Sequence, residues 1–204
     1  KSLGTIYRFQ YLGVDPQTGH RAYHDYNNDG RISTSNDAPG SGMDDRYIEF
    51  DFTPKFSGGA GTSIIYKNLS LDMMFPFQNA IAPRAYTETP GGMKNVPASA
   101  LQNYWKKPGD IAINPVLSAL DNDYNFGNSD GAITDASYLR LSNISGSYSL
   151  PGKFARKMGV KGLSFGLSIQ NIFTLTKYDG IDPQVTFGRM PQPRTFDGRL
   201  SITL

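Results

Sequence analysis

Asp25-Tyr26-Asn27-Asn28-Asp29-Gly30 puts oxygen-bearing side chains at the first, third and fifth positions of a loop and a glycine at the sixth. Alternate side chains of such a segment point inward, and the glycine permits the sharp turn that lets their oxygens converge on a hard cation such as calcium. Arg31 would then give its backbone carbonyl at position seven, and Ser33 would act directly or through water at nine. Position twelve is Asn36, so the bidentate carboxylate falls to Asp37, one residue late. Asp25, Asn27, Asp29, Arg31, Ser33 and Asp37 thus form a candidate calcium loop. The metal-free alternative is a surface turn, which Asn, Asp and Gly favour in their own right.

Other chemistry-bearing patterns are weaker. Gly162-Leu163-Ser164-Phe165-Gly166 fits the spacing of a hydrolase nucleophile elbow, but that elbow needs a strand–turn–helix, and Ser164 lies inside an alternating segment. The two histidines, His20 and His24, precede the serine, against the hydrolase order. Asp44, Asp45, Asp121, Asp123 and Asp130 sit among Asn, Gly and Ser, a setting that favours turns over a glycosidase carboxylate pair. No residue set supports an enzyme. Tyr104, Trp105, Tyr124 and Phe126 fall in one long connection, where their rings would stack on a sugar, meet a partner protein or pack the loop itself.

The elements around these residues read as strands. The chain of 204 residues is 38% apolar, with 22 Gly, 12 Tyr and 12 Phe, and no apolar run reaches the roughly 18 residues of a membrane-spanning helix. A net charge of +2 from interspersed residues gives no nucleic-acid footprint, and the absence of cysteine excludes disulfides and thiolate sites. The start, Lys1-Ser2-Leu3-Gly4, has no apolar leader, which suggests removal of a signal or a fragment.

Six segments alternate with period two, apolar against polar. They begin at Tyr7, Ile48, Leu69, Tyr138, Leu163 and Phe196; the fourth changes phase between Leu141 and Ile144, which predicts a bulge. A short helical stretch ending at Gly159 is expected between the fourth and fifth. The connections alternate in length: 12 to 46 long, Lys67-Asn68 short, 79 to 136 long, 151 to 162 shorter, 177 to 194 long. That parity, with strands of roughly 9 to 14 residues, fits an antiparallel transmembrane β-barrel with short periplasmic turns and long extracellular loops. Asp72, Arg140, Gln170, Asp197 and Arg199 would face a wet lumen, and the apolar face would meet lipid. Phe75, Phe77, Phe173 and Tyr178 lie where an interfacial aromatic girdle belongs. The rival is a soluble secreted β-sandwich that binds carbohydrate through loop aromatics, with a structural calcium.

Three blocks carry a family resemblance. They are Trp105-Lys106-Lys107-Pro108-Gly109-Asp110 with Ala136 to Ile144 and Tyr148-Ser149-Leu150-Pro151; Gln170 to Tyr178 with Gly180-Ile181-Asp182-Pro183-Gln184; and Pro191-Gln192-Pro193-Arg194-Thr195-Phe196. With residues 25 to 37 and 54 to 59 they resemble, in order, the C-terminal part of SusC/RagA-type TonB-dependent transporters of Bacteroidetes outer membranes. The resemblance implies that residues 1–204 supply about six strands of a barrel of about 22, without the plug domain. It implies import of oligosaccharides or peptides, a SusD-like surface lipoprotein as partner, and coupling to TonB through the plug. The terminal Leu204 departs from the aromatic residue common there.

Overall fold

The computed structural model describes residues 4–35, 41–91, 98–119, 123–185 and 190–204, and the chain divides into two compact units. The described strands are β1 (Thr5–Arg8), β2 (Tyr11–Val14), β3 (Arg21–Tyr23), β4 (Ile48–Asp51), β5 (Phe56–Tyr66), β6 (Leu69–Asn79), β7 (Ile81–Pro83), β8 (Ile133–Asp135), β9 (Tyr138–Ser149), β10 (Gly162–Thr176) and β11 (Thr195–Thr203). One helix, α1 (Gly152–Lys157), separates β9 from β10. Its chain turns out at Gly159, whose φ of 78° is open to glycine without a Cβ penalty, as the sequence predicts.

Residues 54–80 and 136–204 form an antiparallel five-stranded sheet in the order β11-β10-β9-β6-β5. The two-residue turn Lys67-Asn68 closes β5 on β6, with Lys67 at φ 55°. The β9–β10 connection lies at the same end, where the Ser149 N–H donates to the Asn68 carbonyl at 2.9 Å. At the opposite end the Lys55 N–H donates to the Asn79 carbonyl, and the Thr176 hydroxyl donates to the Ser137 carbonyl. Short connections therefore share one end and long ones the other, which is the parity the sequence predicts.

The register makes one face apolar throughout. Ile64 pairs with Leu71, Thr62 with Met73, Met73 with Ile144, Ile144 with Ile169 and Ile169 with Phe196; Phe165 pairs with both Tyr148 and Leu200. Paired residues of antiparallel strands share a face, so these side chains form one sheet-wide surface. Burial does not cover it. Leu167 is 71% exposed and Phe196 70%, and Ile64, Leu200 and Ile202 are also exposed.

The phase change in β9 is a real bulge, and its cause is local. Met74 pairs with Asn143 and Phe77 with Leu139, so three residues of β9 oppose only Phe75 and Pro76. Pro76 has no N–H to donate, and the ladder shifts there. On the other side Asn171 and Ile172 of β10 oppose the single Ser142, with Asn171 at φ 54°. The Asn171 amide donates to the Pro193 carbonyl, and Arg194 donates to the Ile172 carbonyl at 2.7 Å. These bonds tie the second bulge to the segment that leads into β11.

Residues 1–53 and 81–135 form the other unit, which gathers the first two long connections. The expected first strand at Tyr7–Tyr11 is broken: Thr5–Arg8 pairs with β4, Phe9 bridges to Ser129, and Tyr11 begins a hairpin with β3. It is not a strand of the five-stranded sheet. Fully buried Phe9 anchors this unit, with ring centroids 6.1 Å from Tyr23, 5.8 Å between Tyr23 and Tyr11, and 5.2 Å between Tyr11 and Phe126.

Candidate functional site

The polar face of the sheet assembles in rows. Ser63, Asp72, Ser145, Ser168 and Asp197 stand in register across all five strands, and Gly61, Met74, Asn143, Gln170 and Thr195 form another row. Ser70 and Ser147 hydrogen-bond through their hydroxyls at 2.8 Å, in the row that ends at Arg199. Asp72, Gln170, Asp197 and Arg199 are exposed on this face. They present hydroxyls, amides and charges of both signs.

Arg140 shares the face but is not exposed: it is 4% accessible and its Nη2 meets Asp182 Oδ1 at 2.6 Å. Beside it, Gln184 Nε2 donates to the Tyr138 hydroxyl, which donates to Gln78 Oε1 at 3.4 Å. The Arg140 guanidinium carbon lies 5.5 Å from the Tyr138 ring centroid. Asp182 and Gln184 lie in the connection after β10. Their pairing with β9 spans 42 residues, a distance that strand periodicity does not report.

In the other unit the candidate calcium loop is held by carboxylate–amide bonds. Asp25 accepts from the N–H groups of Asp29 and Gly30, Asn27 Oδ1 from Asp29, and Asp29 Oδ1 from Arg31. Asp37 lies outside the described residues. The carboxylate that meets this loop is Asp45, fully buried, which accepts from Tyr26, Asn27 and Ser33 N–H groups. Ser33 Oγ donates to the Met43 carbonyl. Among the described residues no three His, Cys, Asp or Glu side chains converge in a way that could hold a metal. Backbone amides satisfy the carboxylates of Asp25, Asp29 and Asp45.

Next to it, buried Asp44 receives Arg46 Nε at 3.0 Å and Nη2 at 2.5 Å. Burial pushes the Asp44 carboxyl up, but the hydrogen bonds from Arg46 and Ser35 outweigh it and hold the group below its ordinary range.

The four loop aromatics separate into different roles. Phe126 is buried and packs beneath the Arg21 guanidinium, whose carbon lies 3.9 Å from the ring centroid. Arg21 also meets Asp123 at 3.6 Å, and Asp123 accepts from the Tyr23 hydroxyl. Burial, and then that bond, push the Tyr23 phenol far up, so it stays a neutral donor. Trp105 donates its indole N–H to the Pro16 carbonyl and lies against Gly19, where a Cβ would come within 2.4 Å of the ring. That leaves Tyr104, which lines an open pocket of about 570 Å³ with Lys106, Lys107 and Ile111, and Tyr124, which is 78% exposed. Aromatic residues alone do not mark Lys106, Lys107 and Ile111, though the Lys-Lys pair beside Trp105 is visible in the sequence.

No protein-family model matches the chain. It is 27% identical to TonB-dependent receptor P3 of Formosa agariphila over 92% of this chain and 19% of the relative. It is 31% identical to TonB-dependent receptor SusC of Bacteroides thetaiotaomicron over 72% of this chain and 14% of the relative. Among solved structures, the RagAB peptide importer in its open-open state superposes with a TM-score of 0.66 at 26% identity, over 90% of this chain and 21% of that one. The chain is a homologue of the SusC/RagA-type TonB-dependent receptors. It spans about a fifth or less of the length of these relatives. Such receptors are outer-membrane proteins, and the outer membrane is this chain's location. The β-sandwich rival is not favoured: the SusC/RagA-type likeness covers most of the chain, and the apolar sheet face has no facing layer among the described residues of its unit.

Proposed function

We propose that the five-stranded sheet is part of the wall of a transmembrane barrel, its apolar face against lipid and its polar rows lining a wet lumen. The observation that carries this is an apolar face, half-exposed to fully exposed over most of its residues, opposite a polar one, across strands of membrane-spanning length. The eleven residues of β6, at about 3.4 Å each and tilted about 40°, span about 29 Å, close to a hydrocarbon thickness of roughly 30 Å. Aromatic rings flank the band at both ends: Phe56, Phe77 and Phe173 at one, Tyr66, Tyr148 and Phe165 at the other. Tyr178, expected in the girdle, lies beyond the end of β10.

On this reading the chain is the C-terminal part of an outer-membrane importer of oligosaccharides or peptides, with the unit of residues 1–53 and 81–135 as surface loops. A SusD- or RagB-type lipoprotein would meet those loops, and TonB would deliver energy through a plug elsewhere in the protein. Transport needs no bond chemistry from these residues. Growth of a deletion strain on single glycans and on peptide mixtures tests the function. Loss on one class names the substrate, and normal growth on all of them overturns the import reading. The residue 25–37 loop is proposed to take calcium through Asp25, Asn27, Asp29, the Arg31 carbonyl, Ser33 and Asp37.

A further inference from the structure

We propose that residues 178–185 form a strap fastened across the polar face by Arg140, and that the strap opens as a unit to uncover that guanidinium. The proposal rests on the barrel reading for its setting, since a strap on the lumen face narrows a path only if there is a lumen.

The fastening is concentrated in two neighbouring positions of one strand. Asp182 Oδ1 accepts both from Arg140 Nη2 at 2.6 Å and from the Gln184 N–H at 2.9 Å, while the Asp182 carbonyl accepts from the Val185 N–H. One carboxylate thus closes the turn and clamps it to β9. Gln184 adds the second fastening through Tyr138. Asp182 and Pro183 are buried by this arrangement, whereas Ile181 is 87% exposed, so the polar fastening is joined by the burial of one proline ring.

The clamp is also incomplete. Among the described residues Arg140 Nε is buried without a hydrogen-bond partner, and Asp182 engages the guanidinium end-on through Nη2. A side-on carboxylate would take Nε and Nη2 together, the stronger geometry for this pair. Opening the strap would uncover Pro183 and leave a charged, unfilled donor set on the polar face. Those are the properties of a fastening that exchanges, not of a core.

The test uses the full-length receptor in outer-membrane vesicles, free of other cysteines, with Pro183→Cys as reporter and a water-soluble maleimide as probe. Labelling should be slow with the fastening intact. Asp182→Asn should speed it about tenfold or more, because removing one partner of a buried ion pair leaves the other uncompensated. Arg140→Asp combined with Asp182→Arg should return it toward the slow rate. Heat-modifiable gel migration reports whether each barrel is assembled. If Asp182→Asn does not assemble, Gln184→Ala decides, with a rise of about threefold expected from loss of one neutral hydrogen bond. Unchanged labelling in an assembled variant overturns the strap while the barrel stands. A parent protein without a heat-modifiable form overturns the barrel and the strap's role with it.

Discussion

Single residues decide whether the loop unit holds its shape, and three of them make sharp predictions. Gly19 has φ 75° and Trp105 directly over it, so Gly19→Ala brings both strain and a clash. The variant should lose about 1–3 kcal/mol, read as a lower unfolding midpoint and a red-shifted Trp105 emission. Asp44 adds a pH dependence. A carboxyl held below its ordinary value contributes stability that is full above the unfolded value of 3.8 and is lost as pH falls through the lowered folded value. Acid unfolding below pH 3.8 should therefore flatten in Asp44→Asn, and an unchanged acid limb would show that the Asp44–Arg46 pair is not the cause. For the calcium proposal, calorimetry with millimolar calcium should give heat that Asp25→Asn abolishes, and no heat from the parent removes the ion.

At the scale of elements the two faces of the sheet carry different roles. Leu167 and Ser168 are neighbours on β10 with opposite faces, set by their pairing with Gly146 and Ser145. Leu167→Arg should therefore cost about 2–4 kcal/mol near the middle of a bilayer and block assembly, while Ser168→Arg should assemble normally; equal outcomes would contradict the assignment. Much of this was legible in the sequence because side-chain period is a strong signal: Leu71, Met73, Phe165, Leu167 and Ile202 announce their face by spacing alone. Even the β9 bulge shows, as the phase change between Leu141 and Ile144. Its counterpart at Asn171-Ile172 was hidden, because β10 keeps its parity from Ile169 to Phe173. The break in the Tyr7–Tyr11 segment was hidden too, since Phe9 leaves its ladder for Ser129, a partner 120 residues away.

For the whole molecule, the sequence indicated how many long connections leave one end but not what they build. Counting positions from Asp25 assigns the closing carboxylate to Asp37, which lies outside the described residues, and does not report Asp45, whose carboxylate meets the same loop because the chain's return and not its spacing brings it there. Arg140 read correctly as a residue of the polar face, yet its partner Asp182 is set by how the chain returns after β10. The same holds for Phe126, for which the sequence left ligand contact and loop packing open and which is buried beneath Arg21.

The central claim is that the apolar face of the sheet meets lipid and the other meets water. Single nitroxide labels placed from Leu163 to Gln170 in the vesicle-borne receptor measure this directly, through their collision rates with dissolved oxygen and with a water-soluble nickel chelate. Labels at 165, 167 and 169 should collide preferentially with oxygen and those at 164, 166, 168 and 170 with the chelate, in strict alternation. Odd positions shielded from both reagents, or open to the chelate, would place protein or water where lipid is claimed and would contradict the account.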